Sequence, residues 1–242
     1  MRALVGTSGW SYAPWKGVFY PAKIKPAEML PFYASKLTAV ELNNSFYRIP
    51  RVSDFEGWAA AVPADFRFAV KAPMAVTHRA RLKEGAAEPL GVFLERSAAL
   101  GAKRGPVLFG LPPNMKKDVP RLEAFLATLP ADVRVAFEFR HESWLADDVY
   151  GALRARAAAL CVAEAEGLAV PMVPTAAWGY VRLRLVEYAA GELDAWVEKI
   201  KATGWDEVFV FFKHEDAGTG PRLAADFGGR LRAAGIEVTG VE

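Results

Sequence analysis

Cysteine and histidine are both scarce: one Cys and three His in 242 residues. Cys161 therefore forms no internal disulfide, and its apolar surroundings from Ala157 to Ala163 mark it as a small core residue rather than a reactive thiol. His78, His141 and His214 share no metal-ligand spacing, so neither a metal nor a cofactor is expected. A long hydrophobic run is also missing. No stretch approaches the roughly 20 apolar residues of a membrane span, and the opening Met1-Arg2-Ala3-Leu4-Val5-Gly6-Thr7 is too short for a signal peptide. A cytoplasmic protein without a membrane partner is expected. Nor does one sign of charge dominate: 30 basic against 28 acidic side chains leave +2, too little to argue for non-specific nucleic-acid binding. The Ser nucleophile elbow, the P-loop and paired-Cys motifs do not occur. What remains is 52% hydrophobic and 24% charged, which excludes disorder, collagen-like repeats and coiled coil.

Short β-branched or aromatic runs alternate with amphipathic stretches. Strands are expected at Leu4–Ser8, Ala39–Asn43, Phe66–Ala72, Pro106–Leu111, Arg134–Arg140, Ala159–Glu164, Tyr180–Arg184 and Val208–Lys213. Helices are expected at Ala27–Leu37, Ser53–Ala61, Pro89–Leu100, Val119–Leu129, Asp147–Ala158, Glu192–Ala202 and Pro221–Ala234, several punctuated by a following glycine such as Gly204 or Gly235. The Glu164–Gly179 connection is irregular. Eight strands and seven helices predict an α/β fold. The expected architecture is a single (β/α)8 TIM-type barrel over residues 1–242, with one degenerate βα unit after strand six. The competing doubly wound sheet would carry a glycine-rich fingerprint after strand one, where Gly6-Thr7-Ser8-Gly9 instead runs into Trp10.

Alternation along each strand sorts side chains into barrel-facing and helix-facing sets. With Val135, Phe137 and Phe139 facing helices, Glu138 and Arg140 turn inward. Val40 and Leu42 likewise leave Glu41 and Asn43 inside, Phe68 and Val70 leave Lys71, and Val181 and Leu183 leave Arg182 and Arg184. Glu164, in phase with Leu160 and Val162, is counted with the inward set. These residues fall in the C-terminal halves of their strands, where barrel enzymes keep their sites. Buried charges cost several kcal/mol each unless paired, so the pattern reads either as a charged pocket or as an ion-pair plug filling the barrel. The cationic surplus favours an anionic ligand such as a phosphate or carboxylate.

Other features gather at strand ends. The Gly9–Pro21 connection carries five aromatics including Trp10, while Phe46 and Tyr47 follow strand two and Trp144 follows strand five. Trp10, Tyr47 and Trp144 are candidates to wall a ring, although such residues also pack loops onto barrels. His141 beside Arg140 is a candidate acid–base group. The loop Asp216-Ala217-Gly218-Thr219-Gly220-Pro221 leads into a helix start that could hold an anion or could be an ordinary capped loop. The basic stretch His78-Arg79-Ala80-Arg81-Leu82-Lys83 would suit a phosphate backbone.

These motifs, in this order, resemble the YecE-like family, catalogued as domain of unknown function 72. The resemblance rests on Gly6-Thr7-Ser8-Gly9-Trp10 with Tyr12, Trp15, Gly17 and Phe19-Tyr20-Pro21. It continues with Glu41-Leu42-Asn43, Phe46-Tyr47-Arg48, Pro50, Phe68, Lys71 and Thr77-His78, then Leu111-Pro112-Pro113, Glu138-Phe139-Arg140-His141, Ser143-Trp144, Tyr180-Val181-Arg182 and Val208–Phe212. It implies a (β/α)8 barrel and no settled activity. The sequence departs from the commoner pattern at Arg184-Leu185, at Lys213-His214 with Glu215-Asp216, and at Glu164, which adds charge to one side of the mouth.

The expectation is an enzyme, a hydrolase or isomerase, acting on a phosphorylated sugar or nucleotide-like anion. Glu138 or Glu41 would serve as acid or base, with Lys71 and His141 assisting. Arg140 and Arg182 would clamp the anion, Asn43 would orient a hydroxyl, and Trp10, Tyr47, His78, Trp144 and Lys213 would complete the binding set. The alternatives are a nucleic-acid binding or repair protein and a non-catalytic sensor of small anionic ligands. Oligomeric state is left open.

Overall fold

Two apolar registers run along each strand and bury against different partners. Val5, Val40, Val70, Phe109, Phe137, Val181 and Val210 belong to the cluster under the helices, whereas Leu4, Ala39, Ala69, Leu108, Ala136, Cys161, Tyr180 and Phe209 form a second cluster inside a ring of strands. The computed structural model describes residues 1–164, 167–213 and 216–239. Its strands are β1 (Arg2–Ser8), β2 (Ala39–Leu42), β3 (Arg67–Lys71), β4 (Arg104–Gly110), β5 (Val135–Glu138), β6 (Ala159–Ala163), β7 (Trp178–Leu183) and β8 (Glu207–Phe212). They pair in parallel in sequence order, and β1 closes the ring by pairing with both β8 and β2. The expected barrel is the observed one.

Around it lie α1 (Pro26–Ala34), the short α2 (Asn44–Tyr47), α3 (Val52–Ala60), α4 (Ala87–Ser97), α5 (Val119–Thr128), α6 (Asp147–Ala155), α7 (Glu192–Lys201) and α8 (Thr219–Ala233). Among the described residues no helix joins β6 to β7, which is the degenerate unit. No helix among the described residues is long and apolar enough to cross a membrane.

The seam between β1 and β2 is unusually close. A Cβ on Gly6 would lie 1.8 Å from the Ala39 carbonyl oxygen, so only glycine fits. Beside it the Tyr33 hydroxyl donates to the Ala39 carbonyl and accepts from the Thr7 N–H, at 2.9 and 2.8 Å. Lower down, β1 pairs instead with β9 (Glu237–Val238), through Arg2 and Ala3.

Helix α8 begins at Thr219, two residues before the expected start at Pro221, with Gly218 in the left-handed region at φ 71° as its cap. The Thr219 N–H is already spent on the Asp216 carbonyl, and Pro221 has no N–H to give. Of the two readings of this loop, anion site or ordinary capped loop, the first is left few donors among the described residues. His214 and Glu215 lie outside the described residues.

The N-terminal end of the ring is closed by Glu207, which accepts hydrogen bonds from Arg2 and Arg134. The Arg134 guanidinium also lies over the Trp178 and Phe209 rings, 5.4 and 5.2 Å from their centroids.

Candidate functional site at the barrel mouth

The lumen is filled unevenly. Strands β2, β3, β5 and β6 contribute Ala39, Ala69, Ala136, Ala159 and Ala163, while β7 and β8 contribute Trp178, Tyr180, Phe209 and Phe211. Small residues on one wall leave room for large ones from the other, and this lets two polar side chains of β7 cross the barrel. The Tyr180 hydroxyl donates to Glu41 Oε2 at 2.7 Å. Arg182 donates through Nη2 to Glu41 Oε1 at 2.7 Å and through Nη1 to Glu138 Oε2 at 2.5 Å. One guanidinium thereby bridges the two carboxylates.

Each carboxylate is saturated. Glu41 is fully buried and also accepts from Ser8 Oγ at 2.9 Å and Asn43 Nδ2 at 3.1 Å. Glu138 Oε1 accepts from Arg140 Nε at 2.8 Å and Arg184 Nη2 at 2.7 Å. Burial by itself would raise the pKa of either acid. At Glu138 the three arginines outweigh it and hold the carboxyl far below the ordinary range. At Glu41 the charges of Arg182 and Lys71, with the Tyr180 and Ser8 hydrogen bonds, outweigh burial and lower the pKa. Both shifts favour the ionised form, and each carboxylate is engaged by at least one arginine. Their geometry is that of anchors that hold cations in place.

Lys71, the last residue of β3, is the exception among the charges. Its chain passes over Gly110, where a Cβ would lie 3.8 Å from Lys71 Cε, 3.6 Å from Glu138 Oε2 and 3.9 Å from Arg140 Nη2. Its Nζ sits 4.6 Å above the Phe46 ring. Among the described residues no carboxylate lies within ion-pair distance of that ammonium; Glu41 and Glu138 are engaged by arginines instead. Burial, reinforced by the charge of Arg182 and then Arg140 against the pull of Glu41 and Glu138, brings its pKa down to about 8. His78 meets the edge of the same Phe46 ring at 5.0 Å, and its Nδ1 is 2.9 Å from Thr77 Oγ1. Its pKa is lowered by burial and by Arg140, Lys71 and Arg81. Arg140, Arg182 and Arg184 are thus gathered on Glu41 and Glu138, with Lys71 standing beside them.

The structure therefore brings Glu41, Asn43, Lys71, His78, Glu138, Arg140 and Arg182 together and places the rest elsewhere. Trp144 is a correction: it is fully buried, stacked on Phe139 at 4.8 Å, with its indole N–H donating to the Met115 carbonyl, so it packs the loop and walls no ligand. His141 caps the turn Glu142–Trp144, its Nδ1 accepting from the Ser143 N–H at 3.2 Å. Tyr47 is 78% exposed, and its neighbour Phe46 is the aromatic that meets Lys71. Trp10 packs edge-on against Trp58 at the rim, and Lys213 follows β8 as an exposed residue.

Glu164 is a second correction. Its phase-mate Leu160 belongs to the cluster under the helices, whereas Ala159, Cys161 and Ala163 face the lumen. Glu164 points to the shoulder, where it accepts from Tyr188 OH at 2.6 Å, the Arg184 N–H at 2.6 Å and Trp196 Nε1 at 3.1 Å. It orders the loop after β7. Sequence reasoning missed Tyr180, Ser8 and Phe46. Tyr180 is in phase with Arg182, which was the available signal. Beside Arg184, where no helix among the described residues joins β6 to β7, a cavity of about 750 Å³ is lined by Val162, Leu168, Val170, Leu185 and Trp196 together with Glu164. A more apolar cleft of about 500 Å³ lies on the outer wall between α1 and α8, away from this cluster.

Comparison with known proteins agrees with this architecture. A family model described as a protein of unknown function, DUF72, matches residues 4–240. The UPF0759 protein YecE of Escherichia coli strain K12 is 27% identical over 143 residues, covering 59% of this chain and 50% of the relative, and that of strain O157:H7 matches equally. The chain is thus aligned to about half the length of these curated relatives. A DUF72 family protein from Thermotoga maritima MSB8 superposes with a TM-score of 0.83 at 29% identity, over 96% of this chain and 100% of that one. Another from Enterococcus faecalis V583 gives 0.75 at 18% identity, over 96% and 97%, a likeness of fold alone.

Proposed function

Because the chain belongs to the DUF72 family, whose description assigns no activity, we propose on the mouth residues alone that it is an enzyme acting on a small anionic substrate of phosphorylated-sugar or nucleotide-like type. The carrying observation is the set of arginines gathered on two buried carboxylates, beside a Lys71 that pairs with no carboxylate among the described residues. A phosphate or carboxylate arriving at Arg140 and Lys71 supplies the missing countercharge. Arg140 spends only its Nε on Glu138 and is about a third exposed, so its Nη groups face the approach. Glu41 and Glu138 fix the arginine planes, and Asn43, donating to Glu41, holds its amide beside them. Proton transfer falls to Lys71, whose pKa is brought down to about 8, with His78 across the Phe46 ring as its neighbour. The cavity beside Arg184 gives room for an apolar part such as a base.

The test is calorimetric titration of wild type and Arg140→Ala with ribose 5-phosphate, a nucleoside monophosphate and neutral ribose. Binding confined to the phosphates, and weakened about 10–100-fold in the variant, is expected from the loss of a charge-assisted contact. Equal binding of neutral ribose, or phosphate affinity unchanged in Arg140→Ala, defeats the reading. The basic stretch from His78 adds a second reading, because His78 itself reaches the cluster and Arg81 donates to Asn114 Oδ1 at its edge. A short oligonucleotide that binds more tightly than the monophosphate, with affinity falling steeply in salt, would extend the site to nucleic acid.

A further inference from the structure

We propose that Lys71 is a covalent nucleophile, and that the anionic substrate of this mouth carries a carbonyl group which Lys71 takes up as an imine. The inference rests on the anion-binding reading above and deepens it.

Lysines at protein surfaces are hydrated ammonium ions and are poor nucleophiles. An amine becomes reactive near neutral pH where it is desolvated or set next to other cations. Lys71 meets both conditions in its geometry. It rises from the C-terminal end of β3, half-buried, with its Nζ on the face of Phe46 and its Cε above Gly110. Gly110 on β4 lies directly against the lysine stem, where even a Cβ would already be in van der Waals contact with Cε. The charged groups facing it are Arg182 from β7, Arg140 after β5, Glu41 from β2 and Glu138 from β5, and His78 stands across the Phe46 ring. The two acids are committed to arginines, so among the described residues no carboxylate at contact distance pins the ammonium form. A plain phosphate-binding lysine has no need of this setting, since permanent charge and full hydration serve it as well.

The step balances without an outside reagent. Neutral Nζ bonds to the carbonyl carbon, and the carbonyl oxygen takes the two amine protons and leaves as water. The C=N bond that remains, once protonated, draws electrons from the adjacent carbon and acidifies its C–H. Arg140 or Arg184 would hold the anionic end while this happens.

The experiment treats the whole protein at pH 7 with two anionic carbonyl probes, pyruvate and dihydroxyacetone phosphate, in the presence of cyanoborohydride. Hydride from that reductant converts an imine to a stable secondary amine. Peptide mapping by mass spectrometry then locates the label. Lys71 is expected to be labelled at least about tenfold faster than any surface lysine, because its neutral fraction at pH 7 is about two orders of magnitude larger than that of an ordinary lysine. The rate at Lys71 should rise with pH and level off near 8, the value set by its surroundings. Inorganic phosphate should slow labelling at Lys71 alone. Lys71→Arg keeps the charge and should abolish the fast adduct, with circular dichroism confirming the fold. Phosphates that bind in calorimetry while label spreads evenly over surface lysines would overturn the imine and leave the anion site standing. Fast Lys71 labelling that phosphate does not slow, with no phosphate binding, would instead overturn the anion reading.

Discussion

The two ends of this barrel solve the same electrostatic problem in different surroundings. At the N-terminal end one glutamate, Glu207, holds Arg2 and Arg134, whose side chains are 40% and 39% exposed, and water screens whatever charge is left over. At the C-terminal end Arg182 is 3% exposed and its two glutamate partners 1% or less, so charge there must be matched by protein alone. A cluster open to water serves as a stopper that the fold can lose cheaply. The buried one is a framework whose every member depends on the others, and it leaves over a cation that nothing in the fold requires.

That contrast can be broken most directly by removing one acid from each end. Glu138→Ala takes the shared carboxylate from Arg140, Arg182 and Arg184 and leaves Arg182 to Glu41, and urea unfolding should show a loss of about 3–5 kcal/mol. Glu207→Ala should cost about 1 kcal/mol or less, because its partners reach solvent. Equal losses would erase the distinction. Acid makes the same comparison without mutation. The folded pKa of Glu138 lies below its ordinary 4.5, so its stabilisation is complete above that value and disappears as pH falls through the depressed folded value. Removing Glu138 should flatten the acid limb of the stability profile more than removing Glu207 does.

Lys71 gives the next largest effect, with the opposite sign. Its folded pKa of about 8 is below the ordinary 10.5, so between those values the unfolded chain binds more protons and wild-type stability rises with pH. Below pH 8 the penalty is present in full. Lys71→Met should therefore stabilise the protein at pH 7 by about 1–3 kcal/mol, and the gain should fade above about pH 10. A destabilised variant at pH 7 would mean that the ammonium is structural. Smaller still, Trp144→Phe orphans the Met115 carbonyl and should cost about 1 kcal/mol while leaving anion affinity unchanged. Tyr47→Ala, at an exposed position, should stay within about 0.5 kcal/mol on stability.

Strand positions and facing were legible wherever polar and apolar residues alternate, because period two leaves one solution. That covers β2, β3, β5 and β7, and with them Glu41, Lys71, Glu138 and Arg182. On β6 the run Ala159-Leu160-Cys161-Val162-Ala163 is apolar on both faces, so phase could not be read and Glu164 was assigned to the wrong side. Side-chain reach was illegible too. Nothing local shows that Arg182 spans to two strands, since the alanines that make room for it lie on β2, β3, β5 and β6. Loop aromatics were the weakest part: Trp144 and Phe46 exchange the roles that their positions implied, because whether a ring faces core or mouth is decided by contacts distant in the chain. The two-residue β9 and the four-residue α2 are too short for any periodicity to register.

The late strand β9 has a consequence for the order of assembly. Arg2 and Ala3 pair with β8 on one edge and with β9 on the other, so this end of β1 is paired on both edges only once residues 207–238 have been added to the chain. A chain ending before β8 would leave the sheet from β1 to β7 open, with unpaired amides along its free edges. Ring closure is then a late, cooperative event, and the arginine that spans the mouth can settle between its two acids only once β7 has joined a sheet already carrying β2 and β5.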